Sequence, residues 1–274
     1  MPKINDEGLR IVFFGDIVGR PGRQGVVKVL AEIKQNFKPD LVIGNIENLA
    51  HGKGVTPKTL TEMTDAGVQA LTSGEHIYDK VSPERINELF VAFPTLLKPA
   101  NFSPDRPGRG EVIFDTAKGK VLVISLIGQV FFKAINLSPW TMLPEILERY
   151  AKEKLAAVIL DFHAEATSEK VALGQYFDGK ISALFGTHTH IPTADAAILP
   201  GGTAYVTDVG MNGPIPSVLG MKSERSIERF LTGTMVPYDI AESDKVSLNY
   251  IEATFDVKSS KALKIEHKHQ VIFI

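Results

Sequence analysis

The chain has 274 residues, 44% hydrophobic and 23% charged, a balance that excludes intrinsic disorder and fibre-forming repeats. Thirty basic residues against thirty-two acidic ones give a formal net charge of −2, without the basic surplus of a protein that coats nucleic acid, so no stable nucleic-acid complex is expected. Cysteine is absent, which removes disulfides, thiol nucleophiles and Cys-ligated metals and leaves His, Asp, Glu, Asn, Ser, Thr and Lys to carry any chemistry.

In chain order, Met1–Arg10 is polar and lacks the apolar core of a signal peptide. Short apolar runs at Ile11–Phe14, Leu41–Ile46, Val68–Leu71, Val121–Ile127, Ala157–Leu160 and Ile181–Phe185 read as buried strands. Helix starts fall between them: one near Arg23, Thr56-Pro57, Ser82-Pro83-Glu84, and Thr167 or Ser168 ahead of Glu169. Pro94–Gly110 is Pro-rich and irregular and reads as a long functional loop. Two hairpins are expected. Glu111–Asp115 and Val121–Ile127 flank Lys118-Gly119-Lys120, and Ala196–Leu199 and Thr203–Thr207 flank Pro200-Gly201-Gly202. Val246–Phe255 and Leu263–Ile274 read as further strands. The alternation predicts an α/β layered fold with mixed sheets, in one domain over residues 1–274. The most apolar stretch, Val121–Phe132, is too short to span a bilayer, so the expectation is a soluble cytoplasmic protein with no membrane partner.

Polar residues able to bind metal recur just past the predicted strands. Asp16 follows the first, Glu47 and Asn48 the second, Glu75 and His76 the third; His163, then His188 and His190, follow two later ones. In open α/β sheets ligands bind beyond the carboxyl ends of the strands. Each residue alone has another reading: Asp16 as a helix cap, Glu47 as a surface ion-pair partner, His163 as hydrogen-bonded scaffold. His188 and His190 share one side only if that segment stays extended, and His267 and His269, with the same spacing, sit among Lys264, Glu266 and Lys268 on what reads as a solvated strand face. Taken together, imidazole and oxygen donors without sulfur suit Fe, Mn, Zn or Co. Enough ligands are present for two ions, which can hold a hydroxide between them and clamp a phosphoryl group for in-line attack.

Gly15-Asp16-Ile17-Val18-Gly19, Asn45-Ile46-Glu47-Asn48, Gly74-Glu75-His76 with Tyr78-Asp79, Asp161-Phe162-His163-Ala164-Glu165, Thr167-Ser168-Glu169-Lys170, Gly186-Thr187-His188-Thr189-His190 and Thr207-Asp208-Val209-Gly210-Met211 occur in this order. These blocks resemble the bacterial YmdB-type phosphodiesterases of the calcineurin-like metallophosphoesterases. The resemblance implies a two-layer β sandwich flanked by helices, with two transition-metal ions at the strand ends, iron foremost and Mn or Zn as alternatives. It assigns Asp16, Asn48 and His190 to the first metal, Glu47 to a bridge, and His163, His188 and residue 75 to the second. His76 becomes the general acid, protonating the departing ribose oxygen. The implied substrates are small phosphodiesters, 2′,3′-cyclic and 3′,5′-cyclic nucleotides, and self-association into a homo-oligomer is a family tendency.

One position departs from the resemblance: the family pattern reads Gly-Asn-His where this chain has Gly74-Glu75-His76. With Asp16, Glu47 and Glu75 ionised, three negative charges face the four positive charges of two divalent ions. The expectation is tighter metal binding with a weaker pull on substrate phosphate, or a preference for a mixed Fe(III)/Fe(II) pair. A regulatory or scaffold protein with a degraded metal site is the alternative that this departure leaves open. A Rossmann-type nucleotide site built on Gly15, Gly19 and Gly22 fits poorly, since the spacing is not G-x-G-x-x-G. Among other residues, Arg20 and Arg23 are candidates for substrate phosphate or a solvated helix start, and His51 reads as a surface-loop residue. Asp208 and Asn212 are candidates for orienting a ligand His, while Glu165 and Lys170 read as helix capping and local pairing.

Overall fold

A computed structural model describes residues 8–132, 137–237 and 239–274, so most of the Met1–Arg10 segment read above lies outside the described residues. Two six-stranded sheets lie face to face. In the first, β1 (Leu9–Phe14), β2 (Leu41–Asn45) and β3 (Ala70–Thr72) run parallel, and β11 (Lys245–Phe255) pairs antiparallel with β1. β10 (Gly213–Pro214) and β12 (Ala262–Phe273) both pair antiparallel with β11. In the second, β5 (Gly119–Ile127), β6 (Leu155–His163), β7 (Ala183–Thr187) and β9 (Ala204–Val206) are parallel. β4 (Glu111–Thr116) and β8 (Ala197–Ile198) close its edges antiparallel. Both sheets are therefore mixed, as the sequence predicts.

The strands are apolar on both faces because both faces are covered. Ile11 and Phe13 of β1 point between the sheets, with Val121 and Val123 of β5 and Phe185 of β7. Val12 and Phe14 point outward beneath α1 (Gly19–Asn36), α2 (Pro57–Ala66) and α3 (Ile86–Ala92). Leu122 and Ile124 point the other way beneath α4 (Pro139–Arg149) and α5 (Thr167–Tyr176). The Phe13 and Phe185 rings meet across the central layer with centroids 5.2 Å apart. The order of layers is helix, sheet, sheet, helix, and α6 (Ser223–Thr232) contributes no apolar residue to these clusters.

Several local expectations shift. The first helix begins at Gly19, earlier than Arg23, and Val18 rather than Asp16 is its N-cap, which removes the capping role for Asp16. Thr56 does cap α2, in a reciprocal box with Thr59 and with Pro57 in the first turn. Ser82-Pro83-Glu84 instead forms a turn whose Ser82 carbonyl accepts from Arg85 and Ile86, and α3 starts only at Ile86. Thr167 and Ser168 lie inside α5, whose N-cap is Ala166, without a side-chain cap. The run read as Ile181–Phe185 forms its strand two residues later, ending at Thr187, because Ala183 is the first residue in register with Ile159. The first hairpin turns at Ala117-Lys118, since Gly119 already pairs with Thr116. Among the described residues no helix is long and apolar enough to cross a membrane.

Phe13 is fully buried at the centre of the inter-sheet layer. Phe13→Ala is expected to cost about 3–5 kcal/mol, read as a lowered urea midpoint. Val91→Ala, at a position 81% exposed, should change stability by no more than about 0.5 kcal/mol.

Candidate metal centre

The parallel strands of both sheets end on the same side, and the predicted residues follow those ends. Asp16 stands two residues after β1, Glu47 two after β2, and Glu75 and His76 follow β3 through Ser73-Gly74. His163 is the last residue of β6, and His188 follows β7 directly. One ligand atom each from Glu47, Glu75, His163 and His188 lies within 4.8 Å of all the others.

His163 Nε2 is the hub, 3.1 Å from Glu47 Oε1, 2.9 Å from Glu75 Oε2 and 3.1 Å from His188 Nδ1. Beside this group, Asp16 Oδ1 is 3.9 Å from both His163 Nδ1 and His190 Nε2. Asn48 is buried nearby in sequence, its Nδ2 donating to the Gly52 carbonyl. Among the described residues, four buried side-chain oxygens have no hydrogen-bond partner; three are Asp16 Oδ1, Asn48 Oδ1 and Glu75 Oε2. Buried acceptors are ordinarily satisfied, so orphans concentrated in one donor set call for a ligand. Gly74 shapes the same place: a Cβ there would come within 2.4 Å of Glu47 Oε2 and His163 Nε2. The residues present thus fit a metal centre.

The imidazoles are oriented from behind. Thr187 Oγ1 donates to Asp161 Oδ1 at 2.7 Å, so its lone pair accepts from His163 Nδ1 at 2.8 Å, and Nε2 is the ring nitrogen turned toward Glu47 and Glu75. Asn45 Nδ2 holds the other oxygen of Asp161 at 2.9 Å. His188 Nε2 lies 2.9 Å from Glu165 Oε2, which turns Nδ1 toward the group, and His190 Nδ1 donates to the Leu219 carbonyl at 3.1 Å. His76 keeps its ring at the edge of the centre, with Nδ1 2.9 Å from Asp79 Oδ2 and Nε2 3.8 Å from Glu75 Oε1. Its backbone N–H donates to Glu47 Oε2.

The 187–190 turn is not extended. His188 and His190 have φ of 101° and 66°, a left-handed conformation costly for residues with a Cβ. Lys170, fully buried, locks it by donating to the Thr187 carbonyl at 2.8 Å and to Asp208 Oδ2 at 2.7 Å. Asp208 in turn accepts from the Thr189 and Gly210 amides, and Asp16 Oδ2 from the His188 amide.

Electrostatics draw positive charge to this place. Burial alone would lower the His163 pKa, but the Glu47 and Glu75 carboxylates outweigh it and hold the imidazole well above its ordinary range. Burial would likewise raise Glu75, yet His163, His188 and His76 keep it below the usual carboxylate range. Burial and the His163 charge push His188 down to about 4, and burial pushes Asp161 up to about 6.

Other readings change. Glu165 serves His188 rather than capping α5, and Lys170 spans the second sheet's strand ends rather than pairing locally. Asn212 holds the Asp16 loop through the Gly15 carbonyl and not a histidine. Arg23 is occupied by Glu62 and the Leu49 carbonyl. Arg20 and His51 line a cavity of about 910 Å³ with Lys58 and Lys222, and none of the clustered ligands opens into it. His269 faces Ser247 and His267 the Val209 carbonyl, both on β12 away from the group. Asp79, Asp161, Thr187 and Leu219 are orienting partners to which the sequence reading gave no such role, and Glu165 is one that it read as a helix cap. The only signals were spacing, Asp79 at i+3 from His76 and Glu165 at i+2 from His163.

Losing its carboxylate partner should loosen His188. Glu165→Gln is expected to weaken metal affinity about 10–100-fold in a chelator-competition titration, with the unfolding midpoint of the metal-free protein unchanged.

A profile described as YmdB-like protein matches residues 12–267. A Bacillus subtilis protein named 2′,3′-cyclic-nucleotide 2′-phosphodiesterase is 44% identical over 259 residues, covering 94% of this chain and 96% of its own length. Among solved structures, a Mycoplasma pneumoniae protein described as a novel phosphatase has a TM-score of 0.88 at 34% identity, covering 96% of this chain and 94% of its own. A hypothetical protein from Thermus thermophilus has a TM-score of 0.87 at 35% identity, covering 96% and 99%. With its helix–sheet–sheet–helix layers and with the histidines and carboxylates gathered at the strand ends, the chain belongs to the YmdB-like family.

Proposed function

We propose that this chain is a dinuclear metal-dependent phosphodiesterase acting on 2′,3′-cyclic nucleotides and on 3′,5′-cyclic ones. The observation that carries the reading is the convergence of Glu47, Glu75, His163 and His188 within 4.8 Å, in a chain 44% identical to a 2′,3′-cyclic-nucleotide 2′-phosphodiesterase. Asp16, Asn48 and His190 would hold one ion, Glu47 would bridge, and Glu75, His163 and His188 would hold the other. Bound ions supply Lewis acidity to the phosphoryl oxygens and an activated water, with iron the foremost choice for an N/O donor set and manganese or zinc the alternatives.

The chain's own residues supply the rest. His76 is the general acid. Asp79 occupies its Nδ1, so Nε2 is the atom that presents a proton to the departing ribose oxygen. The Lys170–Asp208 lock and the Thr187–Asp161 pair keep the imidazoles in place while the substrate binds. Glu75 does not read as a lesion in a scaffold protein. Its carboxylate joins Glu47, His163 and His188 in one group, with Oε2 2.9 Å from His163 Nε2, as a ligand to a shared cation does.

Elemental analysis of protein purified without chelator should find about two transition-metal atoms per chain. Chelation should abolish hydrolysis of 2′,3′-cyclic AMP, and iron or manganese should restore it. Protein that takes up no metal after anaerobic reconstitution would falsify the enzyme reading in favour of the scaffold. Glu75→Asn removes one negative charge beside the substrate phosphate, so turnover should rise while metal is held less tightly; unchanged kinetics and metal content would show that the charge at position 75 is immaterial.

A further inference from the structure

Past the end of β5, the segment Gly128–Phe132 crosses the His163–His188 side of the centre, and it is built into place. The Gly128 amide donates to the carbonyl of His163 itself at 2.9 Å. The buried carboxylate of Glu169, in the first turn of α5, accepts from the Gln129 amide at 2.9 Å and the Val130 amide at 3.3 Å. Only glycine fits at 128, since a Cβ would stand 2.5 Å from Glu169 Oε2 and 2.8 Å from the Ala164 Cβ. The segment then places two aromatic rings in succession. Phe132 packs inward, its ring centroid 5.1 Å from that of His188 and 6.4 Å from that of His163.

Phe131 does the opposite. It is 81% exposed and held at φ 69°, a left-handed conformation that a bulky side chain adopts only when its surroundings impose it. Packing does not account for an apolar ring in water on a strained residue, one position from a ring that touches the metal-site imidazoles. Exposed aromatic faces of this kind stack on heteroaromatic bases irrespective of base identity. Resting on the phosphodiesterase reading above, we infer that Phe131 is the nucleobase platform of the substrate site, stacking on the base while the phosphodiester lies at the metal-ligand cluster. Phe132, packed on His188, and Glu169, bound to the Gln129 and Val130 amides, are the positioning residues that hold the segment carrying the platform.

The test compares 2′,3′-cyclic AMP with methyl riboside 2,3-cyclic phosphate, which carries the same reacting group and no base. For Phe131→Ala, KM for 2′,3′-cyclic AMP is expected to rise by about tenfold or more with kcat unchanged, and both constants for the baseless substrate should stay as in the parent. Phe131→Trp should restore the parent KM, and its indole emission should be quenched by 3′-AMP and not by methyl riboside 3-phosphate. Equal effects on the two substrates, or none on either, would overturn the platform while leaving the phosphodiesterase reading intact. Hydrolysis of neither substrate by the parent protein would overturn that reading, and the platform with it.

Discussion

One imidazole nitrogen organises this molecule. His163 Nε2 lies within 3.1 Å of two carboxylate oxygens and a second imidazole nitrogen, in a position without solvent exposure. A single ring nitrogen carries at most one proton and cannot satisfy three such neighbours, so the arrangement is stable as a whole only with positive charge in the gap. The two sheets answer that requirement. Their parallel strands end on one side, and the turns that follow deliver donors from both halves of the chain to one volume. The inter-sheet layer around Phe13 and Phe185 fixes how far apart those turns stand.

A second tier of contacts decides which atom each donor presents. Thr187 with Asp161, Glu165, the Leu219 carbonyl and Asp79 each occupy the far nitrogen of one imidazole, so the near nitrogen faces inward. Left-handed backbone at His188 and His190 turns one ring of a short segment toward His163 and the other toward Asp16. That conformation is sustained by the fully buried Lys170. Burying an ion pair is costly in itself, but here the pair also binds the Thr187 carbonyl and the Thr189 amide, so the same two side chains satisfy the turn's backbone polar groups. Stability and site geometry share these contacts.

Glu75 sets the charge of the centre. A carboxylate in this position strengthens attraction for cations and, by the same Coulomb term, opposes the approach of an anionic phosphodiester. The aromatic segment beyond β5 then acquires weight, because contacts to the uncharged part of a substrate can offset a reduced electrostatic pull. The cavity lined by Arg20, His51, Lys58 and Lys222 contributes no such contact to the cluster.

Much of this was legible in the chain itself. Five of the six apolar runs are followed by Asp, Glu or His and mark strands whose ends carry chemistry, and that pattern depends only on burial and on the polarity of turns. The lack of cysteine limits the donors to oxygen and imidazole, and the ordered blocks from Gly15 to Met211 identify the family. What the sequence could not disclose are relations across space. Asn45 reaches Asp161 over 116 residues, the His188 amide reaches Asp16 over 172, and Gln129 is held by Glu169 forty residues away. Local cues even misdirect where a tertiary partner is stronger: Glu165 and Lys170 look like helix-start residues, yet a histidine and a buried aspartate claim them. The sequence by itself determined which residue types stand at which strand ends, since strands and turns are short-range consequences of hydrophobic periodicity. Only the tertiary structure decided which nitrogen each histidine presents, which carboxylates share a gap and which ring packs against the imidazoles, because those follow from the packing of two sheets whose contacts are separated along most of the chain.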